Sequence, residues 1–109
     1  MSTQTLHKFV VYAPDATDPD ASQRRLSVRP KHLENAADLH RGGFIKVGGA
    51  MLTPESLTLP EKKMVGSVFI CEAESIEAVR KVVEADVYYT SGVWDKEKMV
   101  ILPFVSAHL

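Results

Sequence analysis

The chain has 109 residues, 45% of them hydrophobic and 25% charged, with 13 Lys and Arg against 14 Asp and Glu for a net charge of −1. That is enough chain for one domain with one core, and the ordinary composition with no basic cluster interleaved with aromatics argues against nucleic acid as a partner. Cys71 is the only cysteine, so no internal disulfide can form; the N-terminus lacks a basic flank followed by an apolar run, and no stretch approaches the eighteen or so apolar residues of a membrane span. A reducing, cytoplasmic setting away from membranes is the expectation.

His7 to Ala13 is short, β-branched and aromatic, and Pro14 ends it, which predicts a first strand with apolar residues on both faces. Asp15 to Asp20 follows as turn chemistry. The spacing of Asp15, Asp18 and Asp20 lacks the glycine and closing glutamate of a calcium loop, so a solvated loop is expected, with Asp20 or Ser22 as a helix cap. Ser22 to Val28 reads as a helical lead-in anchored by Leu26. Pro30, with its φ preset and no N–H, suits the first turn of a helix running from about Pro30 to His40, stopped by Arg41 and Gly42-Gly43.

This start places His32 at about the third helical position, where the helix dipole would favour a neutral ring able to accept a proton. Arg29, roughly one turn earlier, could hold an anionic group beside it, and the helical lead-in leaves open which of Arg24, Arg25 and Arg29 faces the pocket. His40 lies late in the helix and reads as structural.

Phe44 to Leu52 is the second strand, and Gly48-Gly49 inside it marks a bulge or a close approach by ligand or backbone. Thr53 to Glu61 is a linker with two prolines, and Met64 to Cys71 is the third strand. Cys71 has no basic neighbour in sequence and reads as a packing residue. Ser75 is a good cap for a second helix, Ile76 to Ala85, whose Ile76, Val79, Val82 and Val83 make a buried stripe. The connection from Asp86 to Lys96 is eleven residues long, more than the two to six usual between a helix and a strand. Tyr88, Tyr89 and Trp94 within it offer stacking area and hydrogen-bond donors for a small molecule. Glu97 to Val105 is the fourth strand, with Pro103 near its end pointing to an edge or to the last pairings of the strand.

Strand, helix, strand, strand, helix, strand is the order of a ferredoxin-like α+β fold, βαββαβ, with both helices on one face of an antiparallel sheet. The strands are nevertheless apolar on both faces. An uncovered apolar sheet is more than a soluble monomer tolerates, which predicts a homodimer with two sheets face to face as an α/β barrel. The same topology brings His32, Gly48-Gly49, Asp86 and the aromatic connection to one end, and sends His7, His40 and Cys71 toward the other. An Asp beside a His fixes its tautomer and stabilises its charged form, so His32 and Asp86 are a candidate acid–base pair.

Arg29-x-x-His32-Leu33, the glycine-bearing second strand, and Asp86-x-Tyr88-x-x-x-Gly92-Val93-Trp94 leading to Leu102-Pro103-Phe104 together resemble the YCII (YciI-like) family of the dimeric α/β-barrel superfamily. Asp86-Val87 stands where that family usually has Asp-Pro, and Gly49-Ala50 where it commonly has Gly-Pro. The resemblance implies a ferredoxin-like fold paired through its sheets and a His–Asp active site at His32 and Asp86. It also implies chemistry without metal or cofactor, in the manner of dehydrochlorinases, isomerases and decarboxylases of the superfamily.

The function expected is therefore proton transfer on an enolisable or phenolic small molecule, by elimination, isomerisation or a related lyase step. His32 would move the proton and Asp86 would orient the imidazole. Arg29 would hold an oxygen anion, Gly48 and Gly49 would let the ligand approach, and Tyr88, Tyr89 and Trp94 would wall the pocket. The alternative is a non-catalytic dimeric ligand-binding or accessory protein, since fold does not fix function. Haem capture through His32 is a weaker third reading, because no second ligand stands at convincing spacing.

Overall fold

The computed structural model describes residues 5–108. The elements are β1 (His7–Pro14), α1 (Ala21–Arg41), β2 (Ile45–Leu52), a 3-10 turn (Pro54–Thr58), β3 (Met64–Ala73), α2 (Ile76–Ala85), α3 (Val87–Thr90) and β4 (Val100–Pro103). The strands form one sheet in the order β2-β3-β1-β4, every neighbouring pair antiparallel. This is the ferredoxin-like α+β fold expected from the strand and helix order. Among the described residues no helix is long and apolar enough to cross a membrane.

Period-two alternation sorts the strands into two faces. Phe9, Val11 and Ala13 of β1 and Cys71 and Ala73 of β3 are buried, and they pack with Val79 and Val83 of α2 and with Tyr88, Val93 and Trp94 beyond it. The opposite face carries Tyr12, Val47, Val100 and Leu102, all exposed, with Val10, Val68 and Ile70 half-buried between them. Ser75 caps α2 as its position predicts, its hydroxyl accepting from Ala78 N–H at 3.1 Å. Gly43, at φ 87°, supplies the left-handed turn that separates α1 from β2.

The boundaries of the first helix and of the fourth strand depart from the sequence reading, and the glycine strand and the long connection take a definite form. The first helix does not begin at Pro30: α1 runs unbroken for 21 residues from Ala21, with Pro30 inside it. Pro30 lacks the N–H that the Leu26 carbonyl would receive, and packing of the Arg25 side of the helix holds the two halves together in spite of that loss. The irregularities of β2 fall between Ile45 and Val47 and between Met51 and Leu52, while Gly48 and Gly49 stay in register opposite Phe69 and Val68. β4 is short because Asp95 binds the N–H groups of Glu97 and Lys98, at 3.1 Å each, and winds that segment into a turn. The long Asp86–Lys96 connection is ordered by α3, by the turn at Gly92 (φ 76°), and by a bridge between Asp15 and Trp94.

Candidate active site

α1 does not lie flat on the sheet. Between it and the helix-side face of β2 and β3 is a cavity of about 470 Å³. Its walls come from every layer of the fold: Arg25, Arg29, His32 and His40 from α1, Gly48 and Gly49 from β2, Ser67 and Phe69 from β3, and Asp86, Tyr88 and Trp94 from the segment after α2.

His32 reaches Asp86 here. Nδ1 of the ring stands 2.9 Å from Asp86 Oδ1 and 3.1 Å from Oδ2, with both side chains largely buried. A carboxylate only accepts, so Nδ1 carries the proton in this pair, and Nε2 is the nitrogen free to exchange one with a ligand. Asp86 is held in turn as the cap of α3, where its Oδ1 accepts from Tyr88 N–H at 2.8 Å. Val87 takes the first helical position that a proline would suit, and the cap forms all the same.

Two aromatic rings then fix the imidazole. The Tyr88 ring stacks on His32 with centroids 3.8 Å apart and planes 11° from parallel. Trp94 meets both edge-on, at 6.1 Å from His32 and 5.7 Å from Tyr88. Behind them lies a buried polar cluster. Arg25 donates from Nη1 to Asp15 at 2.7 Å and from Nη2 to Ser67 Oγ at 3.1 Å, and its guanidinium lies over the Tyr88 ring at 4.7 Å. Burial pushes the Asp15 carboxyl above its usual range while the Arg25 charge pulls the other way, and burial also raises the Tyr88 phenol. The Tyr88 hydroxyl and Arg25 Nε are buried without a partner among the described residues.

The structure brings His32, Asp86, Arg29, Gly48, Gly49, Tyr88 and Trp94 to one cavity. His32 gets there from the interior of α1, so it is not placed at the start of that helix as the sequence suggested. Tyr89 is a correction: one residue along α3 from Tyr88, it turns to a groove between α2 and β4, where Lys96 covers its ring at 4.5 Å. His40, expected at the opposite end, lines the far reach of the same cavity, because the space follows α1 along its length. Asp15, read as part of a solvated loop, is buried against Arg25.

Ser67 was missed altogether, and Arg25 was only one of the three arginines, Arg24, Arg25 and Arg29, left open as facing the pocket. The signal for Arg25 was present, since Arg25, Arg29 and His32 are spaced i, i+4, i+7 and share one face of any helix that runs through Pro30. Ser67 gave none. Among the described residues no three His, Cys, Asp or Glu side chains stand together as metal ligands would.

Residues 8–104 match the family of the YCII-related domain. The chain belongs to this family. Among its YCII relatives, Protein YciI of Escherichia coli O6:H1 is 36% identical over 96 residues, covering 88% of this chain and 94% of that protein. Fusaric acid biosynthesis protein 2 of Gibberella fujikuroi is 32% identical over 106 residues, covering 97% and 99%. Aspartate kinase FUB3 of Fusarium oxysporum f. sp. lycopersici is 34% identical over the whole chain, which spans only 20% of that longer protein. Among solved structures, the 5-chloro-2-hydroxyhydroquinone dehydrochlorinase TftG of Burkholderia phenoliruptrix AC1100, in complex with 2,5-dihydroxybenzoquinone, superposes with a TM-score of 0.75 at 27% identity, covering 90% of this chain and 93% of that one.

Proposed function

We propose that this YCII-domain protein is a small lyase that acts on hydroxylated aromatic rings without a cofactor, using His32 and Asp86 as its acid–base pair. The observation that carries the reading is the His32 Nδ1–Asp86 contact of 2.9 Å on the wall of an aromatic-lined cavity. The likeness to a dehydrochlorinase of such a ring supports it. Asp86 fixes the tautomer that leaves His32 Nε2 as the base. Tyr88 and Trp94 form the wall, and Gly48, on the cavity side of β2, keeps the opposite side clear of a side chain, while Gly49 lines it with backbone alone. Arg29, which has no carboxylate within 4.0 Å among the described residues, holds the negative oxygen that forms when the ring gives up a proton.

For a chlorinated hydroxyhydroquinone the step balances internally. Two ring hydroxyls give up protons, and His32 delivers one of them to the chlorine-bearing carbon. The C–Cl bond breaks with its electron pair, leaving chloride and a hydroxyquinone. The ring is oxidised at two oxygens and reduced at that carbon, so no outside oxidant or reductant enters. The working form is a homodimer closed through the apolar sheet face that α1 and α2 leave bare.

Incubation with 5-chloro-2-hydroxyhydroquinone, followed by chloride release and quinone absorbance, tests the reading. The wild type turns over; His32→Ala and Asp86→Asn lose roughly 10²–10⁴ in rate while still binding the product quinone. Binding without turnover, indifferent to His32→Ala, would make the protein a ligand-binding subunit instead.

A further inference from the structure

Ser67 sits on β3 between Ala13 of β1 and Ala50 of β2, on the helix side of the sheet, and it is 5% exposed. Its Oγ receives two hydrogen bonds, from Arg25 Nη2 at 3.1 Å and from Trp94 Nε1 at 3.2 Å. Neither donor can accept. A guanidinium and an indole N–H carry no lone pair for the purpose, so both bonds fill the acceptor positions of the hydroxyl. The O–H of Ser67 is then obliged to donate, and among the described residues no acceptor takes it. Ser67 lines the cavity.

A hydroxyl with both acceptor positions filled, one of them by a cation, is also polarised toward giving its proton into a hydrogen bond. Two further buried donors without partners among the described residues belong to residues on the same wall, Arg25 Nε and the Tyr88 hydroxyl. A buried donor left unmatched is costly; Arg25 Nε and the Tyr88 hydroxyl are themselves sealed from solvent, so the Ser67 O–H is the donor of this cluster that a ligand in the cavity can satisfy.

We infer that Ser67 is a specificity-determining residue of this site, whose hydroxyl, aimed by Arg25 and Trp94, donates to an anionic oxygen of the ligand, a phenolate or enolate oxygen on a hydroxylated quinone or hydroquinone ring. The inference rests on the hydroxyaromatic reading of the cavity, and it adds to that reading a reason for choosing charged oxygen over any other substituent. Arg25 is a positioning residue in this arrangement. It acts on the ligand through Ser67, and Asp15 neutralises its charge from behind.

The test compares affinities for 2,5-dihydroxybenzoquinone, which ionises readily because its hydroxyls are vinylogous acids, and for its dimethyl ether, which cannot ionise. Binding is read by calorimetry and by the indole N–H cross-peak of Trp94, the only tryptophan in the chain. The wild type prefers the dihydroxy compound, and Ser67→Ala loses at least ten-fold of that preference. A hydroxyl that served only to join Arg25 to Trp94 would, when removed, weaken both ligands alike and leave the ratio unchanged; that result overturns the inference. Ser67→Cys, of similar size but a weaker donor, is read in the same way if Ser67→Ala does not fold.

The two readings fail separately. If the dihydroxy compound does not bind the wild type but benzoate does, and Ser67→Ala weakens benzoate ten-fold, Ser67 keeps its role and the quinone reading falls. If neither anion binds, or benzoate binds Ser67→Ala as well as wild type, the Ser67 inference is overturned. If turnover depends on His32 while the ligand preference ignores Ser67, the lyase reading stands without it.

Discussion

Cys71 shows at the scale of one side chain how the same burial that builds the site's surroundings can silence a reactive group. It is fully buried on the helix side of β3, and burial pushes its thiol from 9.0 up to about 11. With the thiolate reduced to roughly one part in a thousand at pH 8, iodoacetamide is expected to label Cys71 only after unfolding. Labelling of the native protein at the rate of a free thiol would contradict this. The sign of the pH effect follows from the same shift. The folded state keeps its proton between pH 9 and about 11 while the unfolded chain releases it, so the stabilisation is complete below pH 9 and is lost as the pH rises through 11. Its size is on the order of 2 kcal/mol. Denaturant melts at pH 8 and pH 11 check it: wild type loses more stability over that interval than Cys71→Ala does. Tyr88, raised by burial as well, titrates with the same sign in both proteins and cancels from the comparison.

At the scale of elements, Gly48 and Gly49 look alike in sequence and do different things. A Cβ on Gly48 would stand 2.8 Å from the Cβ of Phe69, its partner across the β2–β3 ladder, whereas one on Gly49 would meet nothing within 4 Å. Gly48→Ala should therefore destabilise by about 1–3 kcal/mol, because two strands must part to admit a methyl group. Gly49→Ala should be neutral or stabilise by a few tenths up to about 1 kcal/mol through the unfolded chain. Thermal melts of the two variants separate these outcomes, and equal losses would refute the close approach. The glycine pair was legible in the sequence as a special place, but only the register tells which of the two is constrained. α1 was misread for a comparable reason. A proline inside a helix costs about 3 kcal/mol, so local chemistry argues for a start at Pro30. What overrides it is the contact of Arg25 with Asp15, Ser67 and Tyr88, partners that lie 10, 42 and 63 residues away along the chain. The order of strands and helices, the cap at Ser75 and the meeting of His32 with Asp86 could all be read from local patterns and topology. The Ser67 junction could not, because a serine in a strand carries no periodic or spacing signal that distinguishes it.

For the whole molecule the open face of the sheet sets the question. Paired residues in antiparallel strands point the same way, so Val10 with Leu102, Tyr12 with Val68 and Val100, and Val47 with Ile70 make one apolar surface across all four strands. Tyr12, Val47, Val100 and Leu102 are 38–63% exposed on it, and the charges nearby, Lys8 and Lys46, are drawn toward Glu72 at 3.2 and 3.4 Å. A contiguous patch of this kind marks an interaction surface, and a sheet packs well against a second copy of itself about a two-fold axis. The mass in solution by light scattering is then expected to be twice 12.1 kDa. Val68, at the centre of the face on β3, is the position to change: Val68→Asp would place two unpaired carboxylates inside a dry interface and should return the monomer. The cavity and the His32–Asp86 pair lie on the other side of the sheet, so a properly folded Val68→Asp monomer should still bind 2,5-dihydroxybenzoquinone. A wild type that runs at 12.1 kDa at micromolar concentration, with its mass unaltered in Val68→Asp, would show that the bare face is tolerated in the monomer, and that the apolar residues there serve the sheet alone.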